Sequence, residues 1–159
     1  MRLATIFTAL LPVAVVLAQG QVPGTLLTGS ANILVSLRDD ETLNETSIGC
    51  LTVDGQVTDD TTACGTFQPS TKTSNFGGTA IEAGSGACGR LKGPHGAFAC
   101  NSSVTDKAVL GFYILDGKLA AQELYTVWSI DGAPNNTATQ TLFWQGLHPS
   151  HAVMTWSPV

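Results

Sequence analysis

The sequence is poor in positive charge. Its 159 residues include 7 Lys and Arg against 12 Asp and Glu, which gives a formal net charge of −5. No block of basic residues occurs anywhere in the chain. Clustered Lys and Arg are what a protein uses to bind the phosphate backbone of nucleic acids broadly. We therefore expect no nucleic-acid partner.

Long apolar runs are also missing beyond residue 20, so we expect no membrane insertion. The one apolar stretch, residues 3–17, follows Arg2 and contains Pro12. It is shorter than the roughly 20 apolar residues that span a bilayer, and the small residue Ala18 follows it. This order is typical of a secretory signal peptide. We predict a signal peptide at residues 1–18 and a single secreted β-domain at residues 19–159, placed outside the cell.

Closely spaced cysteines are absent. The four cysteines are Cys50, Cys64, Cys88 and Cys100, and none has another within four residues, unlike the spacing of common zinc sites. We expect neither a metal nor a cofactor. An even number of cysteines behind a signal peptide indicates two disulfides. Three pairings are possible, and we favour Cys50–Cys64 and Cys88–Cys100 because a turn sequence lies in the middle of each segment.

Three acceptor sequences for N-linked glycans are present. They begin at Asn44, Asn101 and Asn135, and none has Pro at the middle position. Each lies in a polar stretch between apolar runs. Glycosylation would place those stretches at the surface, so the three asparagines are candidate glycosylation sites, of which Asn101, directly after Cys100, is the most sterically constrained.

No segment past residue 20 shows a sustained helical period. Short apolar runs recur instead between turn residues, which predicts a small antiparallel β-barrel or β-sandwich stapled by two disulfides. Asp116-Gly117 predicts a two-residue hairpin, and residues 109–115, apolar on both faces, indicate a strand inside a sheet. We interpret residues 70–86 as a long loop with at most one short edge strand. The predicted strands are 31–37, 49–53, 64–67, 97–100, 108–115, 118–122, 125–130, 141–144 and 152–156.

Residues for catalysis do not form a recognisable motif. His95, His148 and His151 all fall in predicted turns. We interpret His148 and His151, three residues apart, as solvated turn residues, with metal binding or acid–base catalysis by the pair as the alternative. We assign no catalytic residue and lean towards a protein that is not an enzyme. The alternative is a small secreted hydrolase such as a ribonuclease, which needs a base, an acid and a cation for the phosphate. Its candidates would be Glu82 or Glu123, a histidine, and Arg90 or Arg38.

The three tryptophans lie in the C-terminal third. Trp128, Trp144 and Trp156 each fall in a predicted strand. Tryptophans in a small β-domain mostly fill its core. The alternative is a row of exposed rings that binds sugars, which would make the chain a cell-wall or glycan-binding module.

Several of these features together resemble small secreted cysteine-containing proteins of filamentous fungi. The resemblance is carried by Ile-Gly-Cys-Leu-Thr-Val-Asp-Gly at 48–55, by Ala-Cys-Gly-Thr-Phe at 63–67 and by Thr155-Trp156. That group includes effectors and elicitors of plant immunity, several with compact β-barrels. The resemblance implies a fungal effector or elicitor that contacts a host extracellular or cell-surface protein and does not catalyse a reaction. A cell-wall glycan is the alternative partner.

Overall fold

The computed structural model describes residues 24–74, 77–84, 86–92, 95–121, 126–135, 138–144 and 148–159. The predicted signal peptide lies outside these ranges. Within them, no helix is both long enough and apolar enough to cross a membrane.

The described residues form strands joined by turns, with two short 3₁₀ turns at Thr61–Ala63 and Asp106–Ala108. The predicted all-β class is confirmed. In chain order the strands are β1 Ala31–Arg38, β2 Glu45–Leu51, β3 Gln56–Thr58, β4 Gln68–Pro69, β5 Thr79–Ala83, β6 Gly86–Arg90, β7 Phe98–Cys100, β8 Gly111–Leu115, β9 Lys118–Ala121, β10 Val127–Ile130, β11 Gln140–Thr141 and β12 Ser150–Pro158.

The first sheet has the antiparallel order β10-β12-β1-β2-β3-β11. Strands β1 and β12 pair along eight residues, from Ala31 opposite Pro158 to Arg38 opposite His151. Phe143, two residues after β11, forms an isolated bridge with Ser129 of β10, so the two ends of the strand order contact each other. This sheet therefore nearly closes into a barrel, which protects its edges from pairing with other chains.

The second sheet has the order β7-β6-β5-β8-β9, with β4 beside β5. Asp116 and Gly117 connect β8 to β9 with φ angles of 50° and 77°. Positive φ at both central residues is the requirement of the tight turn that Asp-Gly predicts, so the hairpin is confirmed. Strand β8 lies between β5 and β9, as expected for a segment that is apolar on both faces.

The interpretation of residues 70–86 as a loop with an edge strand is wrong. Strand β5 runs from Thr79 to Ala83 inside the second sheet and pairs with β4, β6 and β8. It buries only Ala80 and Ile81. A strand with so few large apolar residues gives a weak periodic signal, because its place depends on the neighbouring strands.

The strand predicted at 64–67 is also absent. Cys64 instead follows the first 3₁₀ turn, where the Asp60 side chain accepts a hydrogen bond of 2.9 Å from the Thr62 backbone nitrogen. Asp at the first position of such a turn satisfies a backbone N–H that has no other partner. Phe67 alone makes a bridge, to Ala31.

Both predicted disulfides are present, Cys50–Cys64 and Cys88–Cys100. Cys88 and Cys100 face each other on β6 and β7. Each disulfide closes a short loop, which stabilises the fold by about 3 kcal/mol, mainly by restricting the unfolded chain.

The core contains all three tryptophans. Trp128 is 1% exposed, and Trp144 and Trp156 are each 7% exposed. The rings of Trp128 and Trp144 meet edge to face, with their centroids 5.3 Å apart. Because their rings are buried, these tryptophans do not form the exposed platform of the glycan-binding alternative.

Candidate functional site

Four polar side chains lie side by side across one face of the first sheet. Arg38 on β1 is directly opposite Glu45 on β2 and, on its other side, opposite His151 on β12. His151 in turn is opposite Ser129 on β10. Residues directly opposite in antiparallel strands share a face, with Cβ atoms about 4.5–5.5 Å apart. We call Glu45, Arg38, His151 and Ser129 the polar row.

An irregularity in the pairing of β1 and β2 puts Glu45 into the row. The register shifts by one residue between Val35 and Ser36. Gly49 lies at this shift with φ of 135°, and a Cβ there would be 1.9 Å from the Thr58 carbonyl oxygen. A shift of one residue moves every later side chain of a strand to the other face. The bulge therefore places Glu45, and not Thr46, opposite Arg38.

A short hairpin at residues 39–44 joins β1 to β2 beside the row. One oxygen of Asp39 accepts hydrogen bonds from the Thr42 nitrogen at 2.7 Å, the Thr42 hydroxyl at 2.9 Å and the Glu41 nitrogen at 3.0 Å. The hydrogen bond from the Thr42 backbone is the main reason that the pKa of Asp39 lies below its ordinary value of 3.8, followed by the one from the Thr42 hydroxyl. The carboxylate thus holds the hairpin closed.

Replacing Asp39 with Ala is expected to make the hairpin less stable at neutral pH. The folded pKa of Asp39 is depressed, so its contribution is fully present above about 3.8 and is lost as the pH falls through the folded pKa. The difference in unfolding free energy between wild type and Asp39→Ala should therefore shrink at acid pH. Chemical denaturation at a series of pH values measures this difference. A difference independent of pH would contradict this role, and Asp39→Asn, which keeps the accepting oxygen, is the matched control.

His151 is held by an acidic partner. Its Nδ1 lies 2.6 Å from an oxygen of Asp40, and its side chain remains 39% exposed. A carboxylate on Nδ1 fixes the orientation of the ring and leaves Nε2 free to give or take a proton. Asp40 follows Arg38 by two residues, so the same strand end supplies the cation of the row and the partner of its histidine.

Arg38 and Glu45 complete the charged part of the row. The Nε atom of Arg38 is buried and has no hydrogen-bond partner among the described residues. Glu45 forms a close ion pair with Lys118 of β9. An arginine with an unused donor next to a histidine can bind an oxyanion, because the guanidinium offers several N–H groups in one plane.

A cleft of about 710 Å³ opens where the hairpin meets the start of β12. Arg38, Asp40 and His151 contribute to its wall. The remaining lining residues are Leu37, Asp39, Thr42, Asn44, Thr46, Pro149 and Ser150. A cleft of this volume can accommodate a small organic ligand.

A second histidine lies just before β12. His148 has its Nδ1 2.7 Å from an oxygen of Asp131, and its ring stacks on Phe143 at 3.9 Å. The His95 ring meets it edge-on at 6.0 Å. The His148 side chain is only 18% exposed, so the interpretation of a solvated turn histidine is wrong for it. These contacts fix the turn that leads to His151.

The other sequence-predicted candidates lie elsewhere. Glu82 on β5 accepts hydrogen bonds from Gln68 and Ser70, and Arg90 ends β6. Glu123 lies outside the described residues. Of the two predicted cations, Arg38 is opposite a histidine, His151, in the sheet. Within the described ranges no group of three or more His, Cys, Asp or Glu residues could hold a metal ion.

No sequence motif points directly to the polar row. Asp39-Asp40-Glu41 has the composition of a solvated turn, and Glu45 is part of a glycan acceptor sequence. The available signal was a turn sequence at residues 39–44 that joins β1 to β2, but the register that sets Glu45 opposite Arg38 also depends on the shift at Gly49. The pairing of Arg38 with His151 spans 113 positions of the chain and is set by the sheet order.

Together, the fold and the site define a small disulfide-bonded β-barrel protein with an acid–base cluster on one face. A family model described as RNase T2-like C-terminal domain matches residues 26–157. The chain belongs to this family. No curated protein and no solved structure matches the chain.

This match corrects the functional prediction. The resemblance to fungal effectors and elicitors is not confirmed, because the family that covers the domain is a ribonuclease-related one. The motifs that carried the resemblance, a cysteine near a turn and a second cysteine after it, describe a disulfide-closed β-turn and not a function. The two disulfides fit a secreted protein.

Proposed function

We propose that this chain is a secreted ribonuclease-like protein that binds and cleaves RNA at the polar row. The observation that carries the proposal is the family match over residues 26–157. The row supports it, because it supplies the three groups that phosphodiester cleavage requires: a carboxylate, a cation and a histidine.

The proposed chemistry uses Glu45, His151 and Arg38 of the row once each. The Glu45 carboxylate takes the proton of the ribose 2′-hydroxyl, whose oxygen then forms a bond to phosphorus. The bond from phosphorus to the 5′-oxygen breaks, and protonated His151 gives its Nε2 proton to that oxygen. Arg38 stabilises the negative charge that develops on the phosphoryl oxygens. Asp40 holds the orientation of the His151 ring.

The acidic net charge limits how RNA can bind. The expectation of no nucleic-acid partner was drawn from the lack of a basic block, and it applies to broad contact with the backbone. Arg38 and Lys118 provide local positive charge beside the carboxylates of Asp40 and Glu45. We therefore expect contact with one or two phosphates, weak affinity and a shallow dependence on salt.

The test is cleavage of single-stranded RNA by the purified, oxidised protein. We expect wild type to cleave RNA and Arg38→Gln to be slower by about 10²–10³-fold, as for loss of one oxyanion-stabilising group. Arg90→Gln, which removes an arginine outside the row, is the matched control and should leave the rate unchanged. Equal rates for wild type and Arg38→Gln would overturn the assignment of the row.

A second candidate function is RNA binding without cleavage. The family description supports it, since it names a C-terminal domain of RNase T2-like proteins and not the whole protein. In that case the row would hold RNA for a catalytic centre elsewhere. Binding measured by fluorescence anisotropy, lost in Arg38→Gln but without any cleavage by wild type, would favour this candidate.

A further inference from the structure

One of the predicted glycan acceptors lies on the wall of the cleft. Asn44 ends the hairpin, and Thr46, the third residue of its acceptor sequence, is in β2. Both residues are exposed, and both line the cleft beside Arg38 and His151. The position of Asn44 relative to the polar row follows from the sheet register, because Glu45 next to it is opposite Arg38.

The Asn44 side chain is available for modification. Its backbone is held, since its carbonyl oxygen accepts a hydrogen bond from the Asp39 nitrogen at 2.9 Å and its nitrogen donates one to the Thr42 hydroxyl at 3.3 Å. Among the described residues, no hydrogen bond engages its side-chain amide. The acceptor nitrogen is thus presented to solvent from a fixed backbone.

Asn101 offers a contrast. Its side-chain oxygen accepts a hydrogen bond of 2.9 Å from the Ser103 nitrogen, which folds the acceptor sequence back on itself. It is half-buried, it follows the disulfide-bonded Cys100, and its backbone packs against Gly86. An extended acceptor sequence with a free amide, as at Asn44, is the more accessible substrate for glycan transfer.

We propose that Asn44 carries an N-linked glycan that covers the cleft and restricts which ligands reach Arg38 and His151. A glycan is bulky and hydrophilic, so a glycan attached to Asn44 extends into solvent above the wall of the cleft. Small anions still enter beside it, whereas a polymer that must lie across the row is obstructed. The glycan at Asn44 thus selects short ligands over long ones.

Occupancy is tested on the full chain secreted from a eukaryotic host. Peptide mass spectrometry should find Asn44 glycosylated and Asn101 largely unmodified. Asn44→Gln should remove one glycan mass, and Asn101→Gln is the matched control. Thr46→Ala abolishes the same acceptor sequence without changing Asn44. Loss of the glycan can therefore be tested in Thr46→Ala if Asn44→Gln fails to fold, and in Asn44→Gln if Thr46→Ala fails to fold. An unmodified Asn44 would overturn the proposal.

Shielding is tested without RNA. A soluble paramagnetic agent should relax the ring protons of His151 at least twofold less in the glycosylated protein than after endoglycosidase trimming or in Asn44→Gln. The amide protons of β6 and β7 serve as the internal reference and should not change. Equal relaxation of His151 in all forms would contradict the covering role.

The selection by length rests on the proposed function. Trimming the glycan should raise the cleavage rate of long RNA several-fold and leave a dinucleotide substrate unaffected. Absence of cleavage in every form would count against the ribonuclease proposal, and the relaxation measurement would still decide whether the glycan covers the cleft.

Discussion

Replacing Trp128 with Ala is expected to destabilise the protein by about 3–5 kcal/mol, as for removal of a large aromatic residue from a packed core. Trp128 is almost fully buried and lies between two other rings, with Phe98 at 5.4 Å and Trp144 at 5.3 Å. Phe98 lies in β7 of the second sheet, and its ring centroid is 6.2 Å from that of Phe112 in the same sheet. Truncating Trp128 therefore leaves a cavity at the contact between the two sheets.

The matched variant is Trp128→Phe. The indole nitrogen of Trp128 is buried and has no hydrogen-bond partner among the described residues, and an unsatisfied buried donor itself costs stability. Phenylalanine removes that donor and keeps an aromatic ring, so Trp128→Phe should cost much less than Trp128→Ala. Urea denaturation monitored by far-ultraviolet circular dichroism gives both values. A loss below about 1 kcal/mol for Trp128→Ala would show that this ring is not a core contact.

The fold class could be predicted because its signals are local. Asp116-Gly117 indicates a tight turn, and the apolar residues 109–115 indicate a strand inside a sheet. The pairing of the cysteines also followed from turns within short segments. Strand β5 was missed for the opposite reason, since Thr79–Ala83 is defined by its three neighbouring strands and buries little of its own.

The polar row could not be predicted because it depends on sheet order and on one bulge. His151 lies opposite Arg38 only because β12 pairs with β1. Pairing between strands so far apart in the chain produces no pattern in the local sequence. Glu45 faces Arg38 only because of the register shift at Gly49. The local sequence identified the right kinds of residue for a ribonuclease, but its candidate carboxylates were Glu82 and Glu123 and not Glu45, and it named Arg90 as readily as Arg38.

Replacing His151 with Asn is expected to lower the rate of RNA cleavage by about 10²–10⁴-fold, the usual contribution of one general acid. Asn cannot transfer a proton, yet its amide can still donate a hydrogen bond to Asp40 and so preserve the contact between the hairpin and β12. Glu45→Gln removes the proposed base and should produce a loss of similar size.

The control separates this site from the neighbouring histidines. His95 lies against His148 outside the row, so His95→Asn should retain the wild-type rate. Cleavage that persists in His151→Asn and disappears in His95→Asn would move the chemistry to the cluster around His148. Cleavage that persists in both variants would show that neither His151 nor His95 carries the activity. Loss of cleavage in His151→Asn alone, with unchanged RNA affinity, would assign proton transfer to the row, with RNA binding assigned to Arg38. The double variant Glu45→Gln with His151→Asn then tests whether the two groups act on one reaction, because acid and base in a single step lose far less together than the product of their separate losses.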